Sequence, residues 1–163
     1  MKQKLSLLLL ALTIGLLPVL ANEPARVILN AGNVEHINVS GDMEIVLLQA
    51  PANEHSVIMG DDASERINLL LNNKSLFITD RGLFSKEKTV VYLYVNNLKT
   101  LTVEGTSNVK TVGSLTTAKL DVYVDGTSKV HIRTMGTVEA HGLNDSEIQV
   151  KYLSNGTISK RAY

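Results

Sequence analysis

Residues 101–109 read Leu-Thr-Val-Glu-Gly-Thr-Ser-Asn-Val, and residues 122–130 read Val-Tyr-Val-Asp-Gly-Thr-Ser-Lys-Val. Both stretches carry apolar residues at alternate positions on either side of a central glycine. This pattern is typical of a half-buried strand, a corner and a second strand. Weaker copies lie at residues 37–45 and 138–146. The repetition predicts stacked strand–corner–strand units.

The spacing of the corner glycines predicts how these units are arranged. Gly105, Gly126 and Gly142 follow one another at intervals of 21 and 16 residues, and Gly41 lies 64 residues before Gly105, about three periods away. We expect a single right-handed β-solenoid of about six or seven short coils, with these four glycines turning the corners. A β-sandwich of hairpins remains the alternative, because its turns also recur at short intervals.

Alternation of apolar and polar residues continues through most of the chain after residue 21, and no sustained helical stripe interrupts it. The sequence therefore predicts an all-β protein, with at most one short helical turn beginning near Asp61 and ending before a strand at Ile67. Val103, Val124 and Ala140 each stand two residues before a corner glycine, so we expect them to form one inward column.

Residues 1–21 have the features of a secretory signal peptide. Lys2 and Lys4 precede an apolar run, and Val19 and Ala21 occupy the small-residue positions of a cleavage site. An uncleaved anchor is the alternative, although the run is short for a bilayer span. We expect a mature domain of residues 22–163 that is exported to the periplasm, the outer cell surface or the medium and contains no membrane span.

The composition excludes several classes of function. Lys+Arg and Asp+Glu both number 16, so no overall charge favours nucleic acid. Cysteine is absent, which removes disulfides, thiolate metal sites and Cys nucleophiles. The nucleophile elbow, paired-histidine metal motifs and phosphate-binding glycine loops are also missing. We expect no cofactor and no enzymatic activity, with a small carbohydrate-active enzyme as the weaker alternative.

Residues 34–152 resemble the head GIN domain family of autotransporter adhesins from secreted bacterial proteins. The resemblance rests on an Ile-Asn-Val-Ser-Gly opening at 37–41, alternating residues at 43–49 and strands at 76–78, 90–95 and 98–105. The family's small-residue corners correspond to Gly-Thr-Ser at 105–107 and 126–128. The resemblance implies a β-helix-like fold, export to the envelope and a role in adhesion.

Three polar residues stand immediately before the later corner glycines, namely Glu104, Asp125 and His141. If the coils stack in register, these side chains form one outward column in which His141 adjoins Asp125. Two carboxylates and an imidazole are a possible ligand set for a divalent cation. The alternative is three separately solvated side chains.

Exposed tyrosines suit interfaces because they bury a large area at low entropic cost. Tyr92, Tyr94 and Tyr123 occupy outward positions in the alternation and are candidates for a contact surface. The sequence thus favours a non-catalytic adhesion or binding module, whose partner is a surface polysaccharide or another envelope protein. A self-associating structural protein that forms homo-oligomers through its terminal coils is the alternative.

Overall fold

A computed structural model of the chain describes residues 27–30, 33–51, 56–59, 61–82, 88–154 and 157–162. The segment 1–21, in which the signal peptide was expected, lies outside the described residues.

The described chain consists of strands and one short helix, which confirms the all-β prediction. The helix α1 spans Asp61–Arg66 and ends directly before a strand at Ile67, where the sequence predicted a single short turn. The strands, in chain order, are β1 Val27–Asn30, β2 His36–Gly41, β3 Met43–Gln49, β4 Ser56–Met59, β5 Ile67–Asn72, β6 Ser75–Asp80, β7 Thr89–Val95, β8 Thr100–Gly105, β9 Asn108–Val112, β10 Lys119–Gly126, β11 Lys129–Thr134, β12 Thr137–Gly142, β13 Glu147–Ser154 and β14 Thr157–Ala162.

These strands form two mixed sheets. The eight-stranded sheet has the order β1-β4-β7-β3-β9-β11-β13-β14, and the six-stranded sheet has the order β12-β10-β8-β2-β6-β5. The central pairings are parallel, whereas β1, β4, β5 and β14 pair antiparallel near the ends of the sheets. The inward side chains of both sheets share one hydrophobic core, as expected when each sheet is apolar on one face.

Five times in the described chain, a strand of the six-stranded sheet is followed by a strand of the eight-stranded sheet. The spatial order of these units is β6–β7, β2–β3, β8–β9, β10–β11 and β12–β13. Gly41 is the register partner of Gly105, so the expected gap of three periods between them is wrong. The residues between Gly41 and Gly105 form the β6–β7 unit. This unit lies beside β2 and β3 on the side opposite β8 and β9, so it does not separate β2 from β8.

The inward column is only partly as expected. Val39, Val103 and Val124 are register neighbours and are almost completely buried. Ala140 does not join them, because it is the register partner of Val122. The pairing of Lys119 with Thr137 sets an offset of 18 residues between the last two units, whereas aligning their glycines had implied 16.

Candidate functional site

Three of the four predicted corner glycines have the backbone conformation of a corner. Gly41, Gly105 and Gly126 have φ angles of +120°, +97° and +86°, the conformation expected of corner glycines. Gly142 is not at a corner of this kind: it lies opposite Val124. The offset of 18 residues instead places Asn144 opposite Gly126, and Asn144 has a φ of +58°.

Hydrogen bonds connect one corner to the next. The Thr106 amide and the Ser107 hydroxyl both donate to the Gly41 carbonyl oxygen, at 3.0 and 2.8 Å. The Thr127 amide and the Ser128 hydroxyl repeat this with the Gly105 carbonyl oxygen, both at 3.0 Å. Both serine side chains are fully buried. The Gly-Thr-Ser repeat therefore provides hydrogen-bond partners for backbone groups inside the corner, while the residue before each glycine faces solvent.

The structure brings together two of the three candidate metal ligands. Glu104 is the register partner of Asp125, as the sequence predicted. His141 is the register partner of Tyr123 rather than the neighbour of Asp125, so the expected single column is wrong. The 18-residue offset is the reason, since it moves His141 two positions back along the strand. Among the described residues, no group of three or more His, Asp or Glu side chains is arranged to hold a metal ion.

His141 stacks on Tyr123. Their ring centroids are 4.9 Å apart and their planes differ by 11°, within the range of favourable aromatic pairs. The pair lies in a shallow hollow of about 300 Å³ on the outer face of the six-stranded sheet. The hollow is lined by Thr102, Val103, Glu104, Tyr123, Val124, Asp125, His141 and Leu143.

Two carboxylates border this aromatic pair. Among the described side chains, neither Glu104 nor Asp125 forms an ion pair with a Lys, Arg or His. Asp125 Oδ1 accepts hydrogen bonds from the Gly126 amide, at 2.7 Å, and from Asn144 Nδ2. Both carboxylates therefore keep acceptor capacity toward solvent.

Two other acidic residues of this sheet, on β10 and β12, share one lysine. Lys119 Nζ lies 3.1 Å from Asp121 Oδ1 and 2.7 Å from Glu139 Oε2. The hydrogen bonds that Lys119 donates to Glu139 and Asp121 raise the pKa of Lys119, so it stays charged between them. Unlike these two residues, Glu104 and Asp125 form no ion pair with any described basic side chain.

A scan against family models matches residues 33–162 to the family described as putative auto-transporter adhesin, head GIN domain. The chain belongs to this family. The resemblance noted in the sequence is thereby confirmed, over nearly all of the described residues. No curated protein sequence matches this head GIN domain.

A solved structure shares the fold at low sequence identity. A putative adhesin from Bacteroides fragilis is 13% identical with a TM-score of 0.51, covering 74% of this chain and 62% of its own. A putative adhesin from Parabacteroides distasonis is 15% identical with a TM-score of 0.49, covering 77% and 64%. A putative lipid binding protein from the same organism is 11% identical with a TM-score of 0.45, covering 78% of this chain and 61% of its own. The head GIN domain therefore spans about three fifths of the length of these structures.

The three candidate tyrosines do not form one surface. Tyr92 and Tyr94 lie on β7 in the eight-stranded sheet, whereas Tyr123 lies on β10 in the other sheet. Tyr92 and Tyr123 are nevertheless similarly exposed, at 43% and 44%. Among the described residues of the head GIN domain, no helix has the length and apolar character needed to cross a membrane.

Sequence reasoning missed two residues that line the hollow. Thr102 is the register partner of Tyr123 on β8, and Leu143 is 65% exposed beside the stacked rings. Leu143 occupies the position that Glu104 and Asp125 hold in the preceding units, given the 18-residue offset. Aligning Ser146 with Ser128, rather than Gly142 with Gly126, would have revealed that offset from the sequence.

Proposed function

We propose that this chain is an exported, non-catalytic binding module of the bacterial cell envelope that binds polysaccharide through the hollow around Tyr123. The observation that carries the proposal is the Tyr123–His141 stack, bordered by two carboxylates that form no ion pair with any described side chain. We further infer that residues 1–21 are a cleaved signal peptide and that residues 22–163 form a β-solenoid-like domain.

The chemistry of the hollow suits a sugar ring. An aromatic face offers a flat apolar area for the C–H groups of the ring, and carboxylates accept hydrogen bonds from hydroxyl groups. Glu104 and Asp125 lie side by side along one edge of that area. Thr102 adds a hydroxyl that both donates and accepts. A polymer that crosses the sheet would meet these groups in a row, since the strands are stacked in register.

The description of the family as an adhesin favours binding over hydrolysis. It supports an exported or surface location as well.

A glycan array with the mature chain, followed by calorimetry on each ligand found, tests this function. Tyr123→Ser should weaken binding at least tenfold, because it removes the aromatic face. Tyr92→Ser is the matched control: it removes an equally exposed tyrosine from the other sheet and should leave affinity within twofold. Asp125→Asn and Glu104→Gln should each weaken binding without abolishing it. Equal losses in both tyrosine variants, or release of shortened glycan by the wild type, would contradict the proposal.

Self-association is a second candidate function, and one observation favours it. Strand β12 ends the six-stranded sheet and, among the described strands, pairs on one side only, with β10. A strand edge of this kind can pair with another chain. Sedimentation velocity over a hundredfold range of concentration distinguishes the two functions, since a filament-forming protein grows with concentration. Ala140→Pro should abolish that growth in a self-associating protein and leave glycan binding at Tyr123 intact.

A further inference from the structure

A second hollow lies on the outer face of the eight-stranded sheet, away from Tyr123. Its volume is about 210 Å³. Strands β9, β11 and β13 carry the residues that line it: Lys110, Thr111, His131, Ile132, Arg133, Gln149 and Lys151. We call this the basic hollow, because four of these side chains are basic and none is acidic.

Two cations of the basic hollow have no carboxylate partner in the part of the chain that the structure describes. Arg133 and Lys151 are register partners on adjacent strands, and among the described side chains neither forms an ion pair. Other lysines on this face are compensated: Lys110 pairs with Glu44, and Lys129 Nζ lies 3.4 Å from Glu147 Oε2. The hydrogen bond that Lys110 donates to Glu44 raises the pKa of Lys110.

The two unpaired cations lie directly opposite each other, since Arg133 of β11 is the register partner of Lys151 of β13. Like charges directly opposite each other on neighbouring strands destabilise a sheet. This pairing is therefore a cost in the free protein, and a bound anion would remove it.

We propose that the basic hollow binds the phosphate group of an envelope molecule. The Arg133 guanidinium presents a planar fork of donors that matches phosphate oxygens, and Lys151 adds a compact charge from the next strand. Lys110 Nζ and Gln149 Nε2, which also donate to Glu44 and Glu147, each carry further N–H groups on the two sides of the hollow. Donors converging from three strands suit a tetrahedral group with several oxygens better than a planar carboxylate, which has two. This site is independent of the polysaccharide surface, because the two hollows lie on opposite sheets.

Pyrophosphate is the first probe, with binding measured by calorimetry and by the melting temperature of the mature chain. Pyrophosphate should bind the wild type and raise its melting temperature, and R133Q/K151Q should lose at least tenfold in affinity and most of that shift. K88Q/K119Q is the control: it removes the same charge from two lysines that have carboxylate partners elsewhere, and should retain affinity within threefold. Without ligand, the melting temperature of R133Q/K151Q should be no lower than that of the wild type. A lower melting temperature would identify a folding defect in the variant.

Vesicles distinguish the source of the phosphate. Phosphatidylglycerol vesicles that capture the wild type but not R133Q/K151Q would identify a lipid headgroup. Pyrophosphate binding without vesicle capture would identify a soluble or polymer-borne phosphate. The proposal is overturned if neither probe binds the wild type, if equimolar sulfate displaces pyrophosphate completely, or if the control variant loses as much affinity as R133Q/K151Q.

Discussion

The Ser107 hydroxyl donates a hydrogen bond of 2.8 Å to the carbonyl oxygen of Gly41, which lies 66 positions earlier in the chain. The same serine oxygen accepts a bond of 3.3 Å from the Met43 amide. One buried side chain thus ties two corners together that the sequence separates by more than a third of its length. The hydrogen-bonded corners at Gly41, Gly105 and Gly126 form a continuous row at one side of the apolar core, which we call the spine.

Backbone spacing along this spine leads to a prediction about Gly126. A Cβ atom at Gly126 would lie 2.4 Å from the Gly105 carbonyl oxygen, whereas at Gly113 it would meet nothing within 4 Å. Both glycines have positive φ, +86° and +77°, so the cost of that conformation, about 1–2 kcal/mol, applies to both. Gly126→Ala should therefore lower the unfolding free energy in urea by about 1–3 kcal/mol more than Gly113→Ala. Equal losses of unfolding free energy in the two variants would show that the backbone at the corners is not tightly stacked.

The spine's second serine gives another prediction. Ser128 Oγ donates to the Gly105 carbonyl oxygen at 3.0 Å and accepts from the Ser107 amide at 3.1 Å. Ser128→Ala leaves that buried amide without its partner, which should cost about 1–3 kcal/mol in urea denaturation. Thr127→Ala, at the exposed neighbouring side chain, should change stability by less than about 0.5 kcal/mol. A Ser128 variant as stable as the Thr127 variant would argue against the spine.

The strand–corner–strand units and their glycines could be predicted because each depends on local chemistry. Alternation identifies the buried face of a strand, and positive φ favours glycine at a corner. The same reasoning failed at Asn144, which adopts a φ of +58° although it is not glycine. Asn73, with a φ of +54°, similarly turns the β5–β6 hairpin without a glycine. Asparagine tolerates this conformation better than most residues, so a search for glycine alone misses such turns.

Long-range register could not be read from the sequence. The glycine spacing did not indicate that the second unit along the chain, β6–β7, lies on the side of β2–β3 opposite β8–β9. This arrangement makes Gly41 the register partner of Gly105. The outward positions of Arg133 and Lys151 were visible in the alternation, but only the pairing of β11 with β13 places them side by side. Both hollows are assembled from several strands in this way, which is why single motifs did not reveal them.

The inward column gives a prediction that compares adjacent residues. Val124 is 2% exposed and lies beside Val103, whereas Tyr123 is 44% exposed on the opposite face of the same strand. Val124→Asp should bury a carboxylate without a partner, at a cost of several kcal/mol against a total domain stability of about 5–15 kcal/mol. Tyr123→Ser should cost less than about 2 kcal/mol. Thermal unfolding followed by circular dichroism measures both, and an unchanged melting temperature for Val124→Asp would refute the inward assignment.

The last prediction concerns acid stability and rests on Glu35. Its Oε1 and Oε2 atoms lie 2.6 Å from Lys74 Nζ and 2.6 Å from Lys99 Nζ, respectively. The hydrogen bonds from Lys74 and Lys99 lower the pKa of Glu35 from 4.5 to about 2. Because the folded pKa lies below the unfolded one, this carboxylate stabilises the fold fully above about pH 5, and the contribution disappears as the pH falls toward 2. Urea denaturation between pH 6 and pH 2 should therefore show Glu35→Gln less stable than the wild type at pH 6, with the difference shrinking steadily on acidification. Glu104→Gln, which removes a carboxylate without an ion-pair partner among the described side chains, is the control. A difference between Glu35→Gln and the wild type that stays constant across this range would show that the two lysines do not stabilise the Glu35 carboxylate.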